Sequence, residues 1–337
     1  MSAVTTIAWT DRTWNPVRGC SIVSPGCVNC YAMKQAHRFS GKGQPYAGLT
    51  KRTPNSGPQW TGVVRTVEDA LLEPLSWRKP ARVFVNSMSD LFHESVPAEF
   101  IAAVFGVMAS APRHTFQVLT KRPERMRNFF IGWPRPIDCV QSARRYGVEV
   151  GWPVVDRRTV LDREEWPLPN VWLGVSCENQ QTADERIPLL LQTPAAVRWV
   201  SAEPLLESIN FRDIQPMRGK THIAEGLRPL IHFPEYDVMR GEKVRDRMGF
   251  ECPRLDWVVV GGESGAGARP FDLAWGRSIV QQCQAANVPV FVKQLGARAY
   301  GPDTHSAILR DRKGGDPSEW PSDLRVREYP LTSLRAG

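Results

Sequence analysis

Alternation constrains this chain of 337 residues more than any other feature. Short runs of β-branched and aromatic residues recur, each followed by a stretch of helical period. Ala81 to Asn86, His114 to Thr120, Val171 to Ser176, Val197 to Ser201, Leu255 to Val260 and Val288 to Val292 read as buried strands. A shorter strand is expected over 13–19. Helices are expected over 31–39, 66–78, 97–111, 123–130 and 180–192, the last broken near Pro188. Another starts at its cap Asp272 and carries an apolar face of Trp275, Ile279, Cys283 and Ala286. Such alternation predicts parallel strands joined by helical crossovers.

Two architectures satisfy that pattern, a doubly wound open sheet and a TIM-type barrel. Nearly every expected strand ends in polar residues: Asn86, Ser87, Ser89 and Asp90; Thr120 and Lys121; Ser176 and Glu178; Ser201 and Glu203; Gly261 to Ser264; Lys293 and Gln294. A parallel barrel uses the C-terminal ends of many strands for its site, whereas a doubly wound sheet concentrates it at one switch point. No G-x-G-x-x-G follows the first strand, and Gly265-Ala266-Gly267 comes late and fails the pattern. The expected class is therefore α/β, a complete or partial TIM-type (β/α) barrel with parallel strands. Residues 1–298 are expected to form one barrel domain, with insertions at about 131–169 and 208–254. Residues 40–60, rich in Gly, Pro, Ser, Thr and Lys, read as a surface loop. Residues 299–337 read as a polar C-terminal extension packed on the barrel and anchored by Trp320 and Pro321.

Composition narrows the class. With 42% hydrophobic and 23% charged residues the chain reads as soluble and globular. No apolar run is long enough for a transmembrane helix, and the first residues lack a basic n-region and an apolar h-region. A cytoplasmic monomer with no membrane partner is expected. Seven cysteines, an odd number, do not make a disulfide scaffold. The formal charge of +8 and pI of about 9.3 point to an anionic partner, DNA or RNA first.

Three of the cysteines lie within eleven residues: Cys20, Cys27 and Cys30. Pro25 and Gly26 form a turn that can fold Cys20 back towards the other two. Three thiols so close call for a metal. A structural zinc site would use Cys27-x-x-Cys30 as a half-site with Cys20 or His37, but no second C-x-x-C follows. A redox C-x-x-C would leave Cys20 idle. A [4Fe–4S] cluster held by three thiolates would leave one iron open. Spacing alone does not separate zinc from cluster.

The surrounding chain resembles the radical S-adenosylmethionine superfamily: a three-cysteine loop after a first strand, ahead of a run of βα units. Phe84 to Asp90 resembles the second-strand segment of its spore photoproduct lyase-like branch, where a Ser/Thr-Asp pair follows the strand. Gln117 to Lys121 resembles that branch's third-strand leucine, threonine, lysine ending. Val171 to Ser176 and Trp199 to Pro204 resemble its fourth and fifth strands. Thr13 to Cys20, Ser24 to Ala32 and Gly314 to Arg327 are similar to a phage-associated three-Cys-motif family. Two departures stand out. Six residues separate the first two cysteines where three are usual, and Asn29 replaces the usual aromatic before the last, with Tyr31 just after.

The resemblance implies a [4Fe–4S] cluster on Cys20, Cys27 and Cys30. It implies S-adenosylmethionine held by Tyr31, Ser87, Asp90, Ser176 and Glu203. Ser87 and Asp90 take the cofactor's amino group by position; Gly261-Gly262-Glu263, which lies some five strands late, is not assigned to it. The implied activity is cleavage of that cofactor to a 5′-deoxyadenosyl radical that abstracts hydrogen from a nucleic acid or nucleotide-like substrate. A flavodoxin or ferredoxin would supply the electron. The alternative is a zinc-stabilised nucleic-acid-binding accessory protein without catalysis.

Other residues have a functional and a bland reading. Cys177, at a strand end, is the catalytic candidate as a hydrogen-atom donor, or else a small buried filler. Lys121 and Arg122, followed by Arg125 and Arg127, could hold phosphates or form a solvated helix face. Glu203 needs a partner at a barrel mouth, with cofactor or substrate the expected one. His93 follows Asp90 and reads either as reaching the site or as a merely exposed loop residue, the second being the commoner case; Cys283 reads as core.

Overall fold

The structure, a computed structural model, describes residues 5–53, 57–132, 136–147, 166–215, 238–239, 253–265, 267–301 and 309–331. Seven strands form a parallel sheet: β1 (Arg12–Trp14), β2 (Arg82–Val85), β3 (Thr115–Thr120), β4 (Val171–Ser176), β5 (Val197–Ala202), β6 (Trp257–Gly261) and β7 (Val290–Gln294). They lie in chain order, each beside its predecessor. A doubly wound sheet reverses order at its switch point; this one does not. β4 and β6 are buried along their whole length on both faces and read as apolar runs, as parallel strands covered on both sides must.

The chain divides into two compact units, residues 1–174 with 193–196, and residues 175–192 with 197–337. In the first, Trp14 pairs with Val85 and Val85 with Val118. The Phe116 N–H donates to the Asn170 carbonyl at 2.8 Å, which starts β4 beside β3. Helix α1 (Tyr31–Arg38) precedes β2. Helix α2 (Ala98–Ala109) is buried along its whole length from Phe100 to Ala109. A helix apolar all round needs cover on more than one side. Part of that cover is α4 (Pro136–Arg145), which follows α3 (Pro123–Gly132). Gly106 lets α2 and α4 approach: a Cβ there would meet the Cys139 carbonyl oxygen at 2.1 Å. Phe105, Phe129, Phe130 and Trp166 pack mostly edge to face beside them.

Three local expectations are corrected here. The stretch 40–60 is not all loop: Thr50–Thr53 and Gly57–Trp60 pair antiparallel. Leu49 and Trp60 are buried against Ala32, Met33 and Ala36 of α1, and that packing outweighs the turn-forming composition. The expected helix over 66–78 is two short ones, Glu68–Leu71 and Glu73–Ser76, with Pro74 opening the second. The expected insertion at 131–169 contains α4, while its residues 148–165 lie outside the described residues.

In the second unit, α5 (Gln180–Leu191) starts with a capping box. The Asn179 side chain accepts from the Thr182 N–H at 3.0 Å, and the Thr182 hydroxyl accepts from the Asn179 N–H at 3.2 Å. The expected break at Pro188 does not occur; buried Ile187, Leu190 and Leu191 hold the helix through it. Helix α6 (Leu273–Ala285) is capped by Asp272, whose carboxylate accepts from the Ala274 N–H at 2.8 Å. Its buried face is Leu273, Gly276, Ile279, Val280 and Cys283; Trp275 and Ala286 are only partly covered. Most of the second expected insertion, 216–237 and 240–252, lies outside the described residues.

The C-terminal segment runs antiparallel along β7. Val292 N–H donates to the Val326 carbonyl and Glu328 N–H to the Val290 carbonyl, both at 2.9 Å. Trp320 is buried, its indole N–H donating to the Gly314 carbonyl at 3.0 Å, and Arg327 covers its ring. Among the described residues no helix is long and apolar enough to cross a membrane.

Gly106→Ala should destabilise the chain by about 1–3 kcal/mol in urea unfolding, because the new methyl must force α2 away from α4. His114 gives a pH dependence. It is fully buried, and burial, helped by Arg113, pushes its pKa down to about 4. Its Nε2 faces the Pro74 carbonyl at 3.2 Å. Below about pH 6.5 the unfolded chain takes up a proton that the folded one refuses. Stability should therefore fall from pH 6.5 towards 4, by up to about 1.4 kcal/mol per pH unit from this group. Unfolding of His114→Phe across the same range should show a shallower slope.

Candidate metal centre

The cysteine loop leaves β1 through Asn15 and Pro16. A Gly19–Ser89 bridge continues the β1–β2 pairing past both strands, up to the first cysteine. Gly19 has φ +89°, and a Cβ there would meet the Val63 carbonyl oxygen at 2.2 Å, so only glycine fits before Cys20. The turn expected at Pro25 and Gly26 is a single 3₁₀ turn, Pro25–Cys27. Cys30 then caps α1. Cys20 and Cys30 lean on the apolar cluster of Ala32, Met33, Ala36, Leu49 and Trp60.

All three thiols are free and partly exposed. Burial pushes the Cys20 thiol up to about 12; the Asp90 charge adds to the rise, Arg122 opposes it, and Cys30 and Cys27 contribute further. Burial also raises Cys30, against the Ala32 and Met33 N–H groups; Cys27 adds to the rise and Lys121 lowers it. Cys20 therefore senses both other thiols, and Cys30 senses Cys27. Among the described residues, however, no three His, Cys, Asp or Glu side chains are drawn together as ligands of one metal ion. The donor chemistry suits a metal that takes thiolates. To bind it, the loop must bring its sulfurs closer and give up their protons.

The ends of β2 and β3 are tied to this loop by one buried carboxylate. Asp90 Oδ1 accepts from the Phe92 N–H at 2.9 Å and the Thr120 hydroxyl at 2.8 Å. Its Oδ2 accepts from the Lys121 N–H at 3.0 Å and Arg122 Nη1 at 3.1 Å. Arg122 also donates to Glu94 at 3.0 Å and to the Ser21 hydroxyl at 2.7 Å, and its Nη1 lies 3.9 Å from Cys20 Sγ. Burial works against this guanidinium's charge, but Asp90, Cys20 and Glu94 outweigh it and raise its pKa.

Several sequence-predicted residues thus occupy the expected place in a different role. Asp90, read as an amino-group ligand, has both oxygens engaged by the protein. Arg122, read as a phosphate contact, is buried and spent on Asp90, Glu94 and Ser21. Arg125 donates to the Val96 carbonyl. Lys121 is half-buried and close enough to Cys30 to lower its pKa. Tyr31 donates to the Ser87 carbonyl at 2.6 Å, and the Ser87 hydroxyl donates to Asn15 at 3.2 Å.

Sequence reasoning missed Asn15, Ser21 and Glu94, and of its two readings of His93 the site-reaching one holds while the favoured exposed one does not. Asn15 Oδ1 also accepts from the Met88 N–H at 3.0 Å. His93 is buried, not exposed. Its Nδ1 accepts from the Ser95 N–H at 3.1 Å, which leaves Nε2 to donate to the Ser21 hydroxyl at 2.9 Å. Burial lowers its pKa, with Arg122 next. The available signal was adjacency: Ser21 follows Cys20, and His93 and Glu94 follow Asp90.

The remaining expected site residues lie in the second unit. Ser176 donates to the Glu203 carbonyl at 3.1 Å. Glu203 does have the partner its burial demands, but the partner is Lys293, at 2.9 Å, from the end of β7. Cys177 is fully buried, its thiol 3.8 Å from the Thr182 carbonyl. Glu178 is buried against Arg186 at 3.2 Å. Glu263 is held by Arg269.

The sequence model of DUF5131, described as protein of unknown function, matches residues 4–316. The chain belongs to the DUF5131 family. No curated protein and no solved structure matches it.

Asp90→Asn should cost about 3–5 kcal/mol in urea unfolding, because an amide nitrogen would face Arg122 and the Lys121 N–H and leave a buried guanidinium without its counter-charge. A loss below about 1 kcal/mol would mean that the carboxylate is not the tie described here.

Proposed function

We propose that this chain is a radical S-adenosylmethionine iron–sulfur enzyme acting on a nucleic acid or nucleotide-like substrate. The observation that supports it best is the setting of the three thiols. They are free and share one loop after the C-terminal end of β1; Cys20 senses the charge of both others, Cys30 that of Cys27, and the cations Arg122 and Lys121 stand beside Cys20 and Cys30. On this reading the parallel sheet is a partial TIM-type barrel, and Cys20, Cys27 and Cys30 hold a [4Fe–4S] cluster. When bound and reduced by a flavodoxin or ferredoxin, that cluster supplies one electron to S-adenosylmethionine, giving methionine and a 5′-deoxyadenosyl radical that takes a hydrogen atom from the substrate.

The chain's own residues position and shield. Asp90, Thr120 and Arg122 fix the loop against two further strand ends. Arg122 offers a guanidinium N–H to Cys20 and favours its thiolate. Tyr31, braced on the Ser87 carbonyl, leaves its ring exposed at the rim of the loop. The net charge of +8 supports an anionic substrate. A cytoplasmic monomer fits this reading.

Purification without oxygen followed by iron, sulfide and zinc analysis tests it. About four iron atoms per chain are expected, with 5′-deoxyadenosine released on reduction with S-adenosylmethionine. Cys27→Ala should lose both; Cys283→Ala, whose thiol is buried in α6, should keep both. One zinc and no iron after anaerobic reconstitution would refute the cluster.

A further inference from the structure

The positive charge of the chain is concentrated in one stretch. Residues 12–67 hold eight of the 43 Lys and Arg and no Asp or Glu, while the rest of the chain holds 35 Lys and Arg against 35 Asp and Glu. The formal +8 of the whole molecule is therefore carried by this stretch alone. It folds around the cysteine loop, with α1 packed on the Thr50–Thr53 and Gly57–Trp60 hairpin over a shared apolar cluster. Lys34, Arg38, Lys42, Lys51, Arg52 and Arg65 are exposed on it. Two aromatic rings are exposed among them: Tyr31, which opens α1, at 51%, and Phe39, just past its end, at 45%. Like charges gathered on so small a body repel one another, and a polyanion relieves that repulsion.

We propose that this face binds single-stranded nucleic acid, with phosphates on the Lys and Arg side chains and unpaired bases on the exposed rings. Positive charge alone would serve an acidic protein equally well. The aromatic rings interleaved with the cations favour a strand whose bases are free to stack. The proposal moves phosphate binding from Arg122, which is buried, to the exposed cations of α1 and the hairpin. It rests on the nucleic-acid part of the reading above and not on the metal.

The test uses the full chain with fluorescein-labelled oligothymidylate and oligouridylate, titrated across a range of salt. One variant combines Lys34→Gln, Arg38→Gln, Lys51→Gln and Arg52→Gln. A control combines Arg78→Gln, Lys79→Gln, Arg312→Gln and Lys313→Gln, which are also exposed but lie outside the stretch. The first variant should weaken binding at least roughly 30-fold and lower the salt slope by about 3, the value for four lost phosphate contacts on a single strand. The control should stay within about twofold. Phe39→Ala should weaken binding roughly tenfold without moving the salt slope. Metal content and thermal unfolding, measured on each variant, should match the starting protein.

Equal losses in the first variant and the control, or no loss in the first, would overturn the proposal. So would poly-aspartate binding to this face more tightly than either oligonucleotide, the result expected of a dock for an acidic protein. A cluster with its cleavage activity intact but no effect of the first variant would sink this inference alone. Salt-dependent binding by a protein that holds no iron would sink only the metal reading.

Discussion

The Asp90 carboxylate joins three strand ends. It follows β2, accepts from Thr120, Lys121 and Arg122 beyond β3, and reaches the loop after β1 through Arg122 and Ser21. A buried charge is tolerable only when it is paired and its lone pairs are filled. Here four donors fill them, so three separate pieces of backbone are held at one point. Cys20 takes its position from that point, and Cys30 from the start of α1, rather than from their own loop, which contains a turn but no regular element longer than three residues.

This arrangement also separates positioning from binding. A carboxylate and a guanidinium fully occupied by each other and by Thr120, Lys121, Glu94 and Ser21 have little left for a ligand. The groups left at the rim of the loop are the thiols, the Tyr31 ring and the surrounding cations. Metal affinity at such thiols depends on displacing protons that burial holds tightly at Cys20 and Cys30. The nearby cations favour the thiolate form and so act in the metal's favour without touching it.

Much of the fold was legible because parallel strands buried on both faces have a strong compositional signal. β2 through β7 all lie where β-branched runs predicted them. The misreadings share one cause, tertiary packing overriding local preference. Trp60 and Leu49 turned a Gly- and Pro-rich stretch into a hairpin on α1, and buried neighbours carried α5 through Pro188. At the site, residue types with an intrinsic chemical signature were found, and their partners were not. Asn15 meets Ser87 and Ser21 meets His93, each across 72 positions of chain, and nothing in the local sequence announces such pairs. Asp90 was singled out for its place after β2, but its role is set by Arg122, 32 positions away.

The segment that runs antiparallel along β7 has a consequence for how the chain is made. A parallel strand at the margin of a sheet presents a row of unpaired N–H and C=O groups, a template for any other extended chain. Here Val326 and Glu328 occupy that row. They come more than thirty positions after β7 and are synthesised later, so β7 is made before its cover and is open to pairing with a neighbouring nascent chain until then. Trp320, buried under Arg327, fixes the segment once it arrives. Docking of that tryptophan thus does more than pack a surface: it closes the edge of β7 to other chains.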